Sequence, residues 1–77
     1  MAGAYVLATV EPGYVKSVLD SVRKIRGVLE AHAVTGPYDI IARVEGESAD
    51  DIGRSVVSEF QSIEGVERTL TTLIVEI

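Results

Sequence analysis

Cysteine is absent from these 77 residues, which removes disulfides, thiolate zinc sites and cysteine nucleophiles together. Histidine occurs once, as His32, so neither a histidine metal cluster nor a histidine pair is available. Positive charge is scarce: seven Lys and Arg stand against twelve Asp and Glu, for a net charge of -5. An acidic chain without a basic tract is a poor ligand for DNA, RNA or anionic lipid, so no direct nucleic-acid or membrane partner is expected. No apolar run approaches the roughly 18 residues that a membrane helix requires. The N-terminus also lacks the basic start and apolar stretch of a signal peptide, so a cytoplasmic location is the default expectation. What the chain does have is apolar residues, 47% of the total, enough for a packed globule rather than disorder. A domain this small buries only about 60% of its unfolded surface. With no disulfide or metal to help, self-association is the expected reinforcement.

Residues 4–11 are β-branched and apolar without helical spacing, and read as a strand. Glu11-Pro12-Gly13 breaks it. From Tyr14 to Ile25 the apolar positions Val15, Val18, Leu19, Val22 and Ile25 recur at three and four, the spacing of one helical face. Gly27 follows the last turn, where a helix C-terminus favours glycine. Residues 28–35 then read as a second strand, Gly36-Pro37-Tyr38-Asp39 as a turn, and residues 40–45 as a third strand. Ser48-x-x-Asp51 resembles a capping box and opens a helix whose apolar face is Ile52, Val56, Phe60 and Ile63. Gly65 ends it, and residues 66–77 read as a long final strand.

The order is strand-helix-strand, twice, and the halves resemble each other. Residues 6–11 align with 40–45, and Ile25-Arg26-Gly27-Val28 aligns with Ile63-Glu64-Gly65-Val66. Two such units interleave into an α+β, ferredoxin-like βαββαβ fold, an antiparallel four-stranded sheet with both helices on one face. A sheet wet on its other face should alternate apolar with polar residues. Here neither face of the first or the last strand is fully polar: Val6, Ala8 and Val10 oppose Tyr5, Leu7 and Thr9, and Leu73, Val75 and Ile77 oppose Leu70, Thr72 and Ile74. The uncovered face therefore predicts a face-to-face dimer, a dimeric α/β barrel-like assembly.

At Val34-Thr35-Gly36-Pro37-Tyr38-Asp39-Ile40-Ile41, followed by Glu64-Gly65-Val66-Glu67-Arg68-Thr69-Leu70-Thr71-Thr72, the chain resembles the C-terminal effector domain of the leucine-responsive/asparagine-responsive (Lrp/AsnC) transcription regulators. The resemblance spans essentially the entire chain, as a single domain over residues 1–77. Full-length members carry an N-terminal helix-turn-helix domain. Here the first strand starts within a few residues of Met1, and a stand-alone effector domain without a helix-turn-helix is expected. The resemblance implies dimers through the sheet faces, assembly of dimers into rings, commonly octamers, and a free amino acid bound between dimers near the turn. It implies full-length regulators as partners, and it implies no cofactor. Carried over position by position, Thr35, Gly36, Pro37, Tyr38 and Asp39 form the effector turn, and Thr69, Thr71 and Thr72 the threonine-rich strand beside it, with any of the three facing the ligand.

The chemistry suits a zwitterion, which needs an acceptor for its ammonium group and donors for its carboxylate. Asp39 can accept from the ammonium through a charge-assisted hydrogen bond. Backbone amides around Gly36 can meet the carboxylate, since glycine permits close approach of the main chain, while Pro37 has no amide to give. Threonine hydroxyls can do either. Asp39 can equally close its own turn with an Asx-type bond, and the two roles are compatible.

The other polar residues carry plainer readings. His32 is a strand-face residue without an evident partner, or a titrating group at a subunit interface. Arg23, Lys24 and Arg26 end the first helix, where cations offset the helix dipole, and Asp50 and Asp51 do the converse at the start of the second. No further oxygen ligands stand near that pair, so no metal is expected. Arg43 lies within a strand and suits a subunit-interface ion pair. Tyr38, on a turn, suits an assembly contact or a ligand lid.

Three functions compete. An amino-acid-binding oligomeric module that regulates transcription through protein partners, and not an enzyme, fits best. A self-assembly module without a ligand needs only the packing features. A small cofactor-independent enzyme of the dimeric α/β-barrel type would need convergent acid and base groups, and no spacing here demands them.

Overall fold

β-Branched residues alternating with alanine favour an extended chain packed closely on one side, and the first segment forms strand β1 (Ala2–Val10). The computed structural model describes all 77 residues. Helix α1 (Val15–Val22), strands β2 (Val28–Ala33) and β3 (Ile40–Gly46), helix α2 (Ala49–Ser55), a π-helical turn (Val56–Phe60) and strand β4 (Val66–Leu73) follow. The sheet order is β2-β3-β1-β4, antiparallel throughout. This is the ferredoxin-like βαββαβ fold that the sequence pattern predicts.

Directly paired residues share a face, which fixes the layers. Ala4, Val6, Ala8 and Val10 of β1 and Ile40, Ala42 and Val44 of β3 are buried beneath Val18 and Val22 of α1 and Ile52, Val56 and Phe60 of the second helix. Only 13 residues are buried, and four of them are alanine. Small side chains on the sheet let the helices lie close, at the cost of a thin core.

The internal repeat extends to individual hydrogen bonds. Gly27 and Gly65 have φ of 97° and 100°. Val28 N donates to Ile25 O and Val66 N to Ile63 O, both at 3.2 Å, while Glu45 N donates to Gly27 O and Glu11 N to Gly65 O. The next residue bulges in each half. Two residues of β2 advance for one of β3 around Leu29, and two of β4 for one of β1 around Glu67. Gly27 also has no room for a side chain, since a Cβ there would sit 2.7 Å from Glu45 O.

The halves differ in their helices. Glu11 precedes Ile25 by 14 residues and Glu45 precedes Ile63 by 18. Four extra residues exceed one 3.6-residue turn, and the apolar positions Ile52, Val56 and Phe60 lie four apart, a drift of about 40° per step in an α-helix. The wider π turn over Val56–Phe60 takes up this drift and keeps Val56 and Phe60 on the core. The sequence pattern alone reads as an ordinary α-helix here. Its start is as expected: Ser48 Oγ accepts from Asp51 N at 3.1 Å.

The final strand is shorter than its sequence predicts. Leu73 pairs with Ala4, Ile74 N still donates to Gly3 O at 2.9 Å, and the ladder with β1 ends there. Ile74-Val75-Glu76-Ile77 thus runs past the sheet, with Val75 75% exposed. The face away from the helices carries Tyr5, Leu7, Ile41, Leu70 and Ile74, of which Tyr5, Leu70 and Ile74 are 41%, 44% and 39% exposed. The chain exposes 5032 Å², against about 4,500 Å² for a monomer of 8.2 kDa.

Candidate functional site

The expected effector turn is closed by Val34 N donating to Asp39 O at 2.9 Å. Gly36, with φ of 131°, supplies the backbone conformation the turn needs. Thr35, Gly36 and Pro37 are exposed, and Tyr38 and Asp39 half-buried. Asp39 is fastened to β1 twice: its N–H donates to Ala8 O at 2.9 Å, and its Oδ2 accepts from Val10 N at 2.8 Å. The carboxylate thus satisfies a strand amide beside the β1–β4 bulge rather than closing an Asx turn. Its Oδ1 makes no bond within the chain and is open to a further donor.

Strand pairing brings the threonine strand to the same corner. Ile40, Ala8 and Thr69 form one row across β3, β1 and β4, so the turn lies about 10 Å from Thr69, two strand spacings. Thr69 and Thr71 are on the helix side, and both are half-buried. Thr72 points to the opposite face, where its hydroxyl donates to Tyr5 O at 3.0 Å. One chain therefore brings Thr69 to the end of the sheet that carries Thr35 to Asp39, sets Thr71 one row further in beside Val6 on the same face, and holds Thr72 on the other face.

Gln61, at the end of the π turn, donates from Nε2 to Thr69 Oγ1 at 2.9 Å and belongs to this corner. Sequence reasoning passed over it. The available signal was a polar residue directly after the buried Phe60, on the helix edge facing β4. Corner and turn together offer a carboxylate oxygen, hydroxyls, an amide side chain and unpaired main-chain donors, a set suited to a small zwitterion.

A second polar group lies on the open face. His32 Nε2 is 2.9 Å from Glu30 Oε1, and Arg43 Nε is 3.5 Å from Glu30 Oε2. The hydrogen bond from His32 holds the Glu30 carboxyl below its usual value; desolvation opposes this, and the charges of His32 and Arg43 add to the lowering. His32 thus has a partner in Glu30, with which its spacing of two along the strand makes it share a face, and Arg43 pairs within its own chain. Arg23 does more than face a helix end: its Nε and Nη2 both donate to Ala31 O, at 3.2 and 2.9 Å, covering the outer edge of β2. No three His, Asp or Glu side chains converge as a metal site would require. No helix is long and apolar enough to cross a membrane.

The chain is thus a ferredoxin-like module with a glycine turn at one end of its sheet and Thr69 and Gln61 across from it. The chain belongs to the Lrp/AsnC ligand binding domain family, whose model matches residues 3–77. It is 38% identical over 56 residues to the HTH-type transcriptional regulator PF0250 of Pyrococcus furiosus, a match covering 73% of this chain and 37% of that one. The chain therefore corresponds to little more than a third of that relative's length. It is also 32% identical over 63 residues to a homocitrate synthase of Sulfolobus acidocaldarius, across 82% of this chain but 13% of the enzyme. Among solved structures, TTHA0845 from Thermus thermophilus superposes with a TM-score of 0.94 at 32% identity, covering 100% of this chain and 96% of that one. The transcriptional regulator NMB0573 of Neisseria meningitidis, solved as an L-Met complex, has the same fold, with a TM-score of 0.86 at 19% identity over 97% of this chain and 50% of its own.

Proposed function

We propose that the chain is an amino-acid-binding effector module that self-associates through its open sheet face and acts on transcription through protein partners, without contacting DNA itself and without catalysing a reaction. The observation that carries the reading is the corner built by Asp39, Gln61, Thr69 and Thr71. Its turn is anchored to β1, while Oδ1 of Asp39 and the main chain around Gly36 stay open to a ligand. The L-Met complex of a neighbour with the same fold supports an amino acid as that ligand. The exposed turn residues and the apolar open face support dimers and then a closed ring, an octamer in the family pattern, with full-length regulators such as the HTH-type relatives as partners.

Thr35, Gly36, Pro37, Tyr38 and Asp39 hold the charged ends of the ligand in this reading. Thr69 and Thr71 flank it, and Thr72 serves the subunit interface. Thermal unfolding against a panel of the protein amino acids tests it. A ligand at 100 times its dissociation constant stabilises by roughly 2.7 kcal/mol. One or a few amino acids should raise the midpoint; a flat panel on a folded protein contradicts the ligand reading. A pure self-assembly module is the second reading, favoured by the structural task Asp39 already performs on Val10.

A further inference from the structure

The two helices carry opposite charge. From Tyr14 to Gly27 the chain holds four basic residues and one acidic, and from Glu47 to Glu64 five acidic and one basic. A surface that only keeps a domain soluble intersperses the signs. Both helices lie on the same face of the sheet, so a basic half and an acidic half stand side by side.

The fold keeps these halves from pairing. The ion pairs join Lys16 to Asp20 within α1, Arg54 to Asp51 within α2, and Glu30 to Arg43 and His32 on the open face. None crosses from one helix to the other. Arg23 donates to a carbonyl of β2, which leaves Lys24 and Arg26 without a carboxylate. Between the banks runs a groove of 510 Å³, with Arg26 on one side, Glu47, Asp51 and Glu59 on the other, and apolar side chains such as Val28 and Ile52 along it. It lies where β3 ends at Gly46, the opposite end of the sheet from the turn at Asp39.

We infer that this end of the helix layer is a self-recognition surface. Lys24 and Arg26 of one copy extend over the Glu47–Glu59 bank of a second copy, and the second copy returns the contact about a two-fold axis. Adjacent patches of opposite charge on one chain are self-complementary under such an axis. Long basic side chains can lay their methylene stems along the groove while their charges meet the carboxylates. The surface is distinct from both the open sheet face and the effector corner, so it stands whether or not those readings hold. Exposed ion pairs are individually weak and screened by salt, which makes this contact weak and salt-sensitive.

The test is the mass of the intact protein by sedimentation equilibrium at about 50 mM and about 500 mM NaCl, across which the Debye length falls from roughly 14 to roughly 4 Å. The mass should fall at the higher salt. A Lys24→Glu/Arg26→Glu variant and a Glu47→Lys/Glu59→Lys variant should each keep the high-salt mass at both concentrations, and mixing them in equal amounts at low salt should regain the wild-type mass. A salt-independent wild-type mass overturns the inference. So do variants that each associate like the wild type, or a mixture of folded variants, checked by circular dichroism, that fails to regain it. Leu70→Asp on the open face separates the two contacts: it should lower the mass at both salts and still lose mass between low and high salt. If Leu70→Asp leaves the mass unchanged, the sheet-face reading fails, and the loss of mass at high salt still decides this one.

Discussion

At the residue scale, Asp39 anchors its turn to β1 and, in the proposed reading, also meets the ligand's ammonium group, and one substitution can separate the two. Its Oδ2 accepts from Val10 N, so Asp39→Ala should cost about 1.5–3 kcal/mol in denaturant unfolding without any ligand. Asp39→Asn keeps an acceptor oxygen and should recover most of that stability while losing the charge that an ammonium group requires. A ligand-induced shift absent in Asp39→Asn, in a protein otherwise near wild-type stability, assigns the loss to binding. Glu30 gives a second test. Its carboxyl is held low in the folded state, chiefly by the hydrogen bond from His32. A depressed carboxyl stabilises above its unfolded value, and that contribution fades as pH falls through the folded one. By NMR titration Glu30 should therefore protonate at lower pH than a free glutamate, and His32→Ala should move it back upward. The sequence placed Asp39 at the turn but not its bond to Val10, because 29 residues separate them and only the pairing of β3 with β1 brings them together.

At the scale of elements, the duplicated exits into β2 and β4 make their glycines unequal to the others. Gly27→Ala combines a left-handed φ with a Cβ 2.7 Å from Glu45 O, whereas Gly13, also at positive φ, has open space around it. Gly13→Ala should cost about 1–2 kcal/mol from backbone conformation alone, and Gly27→Ala clearly more; a pair of denaturation curves decides it. The repeat, the order of elements and the ferredoxin-like topology were legible in the sequence, because hydrophobic periodicity and glycine placement mark the elements and their duplication. The π turn was not, since a four-residue spacing of apolar positions looks like an ordinary helix until Phe60 has to reach the core. The end of β4 was not either, because the apolar pattern runs on through Ile77 past the last residue that pairs with β1.

At the scale of the whole molecule, a 13-residue core, surface in excess of a monomer's and an apolar sheet face support the proposed self-association. The effector corner fits the same picture: its turn projects outward, and Thr72 lies across the sheet from Thr69 and Thr71. In the proposed assembly, neighbouring copies both cover the open face and wall the ligand. Leu70, 44% exposed at the middle of that face beside Leu7, is the residue whose change to aspartate should do most harm to assembly and little to an isolated fold. Sedimentation equilibrium of the wild type beside Leu70→Asp is the most direct measurement of this account. It predicts a wild-type mass that is an even multiple of 8.2 kDa and a variant reduced from it while still folded. A wild type that sediments as a folded 8.2 kDa monomer at every concentration would contradict it.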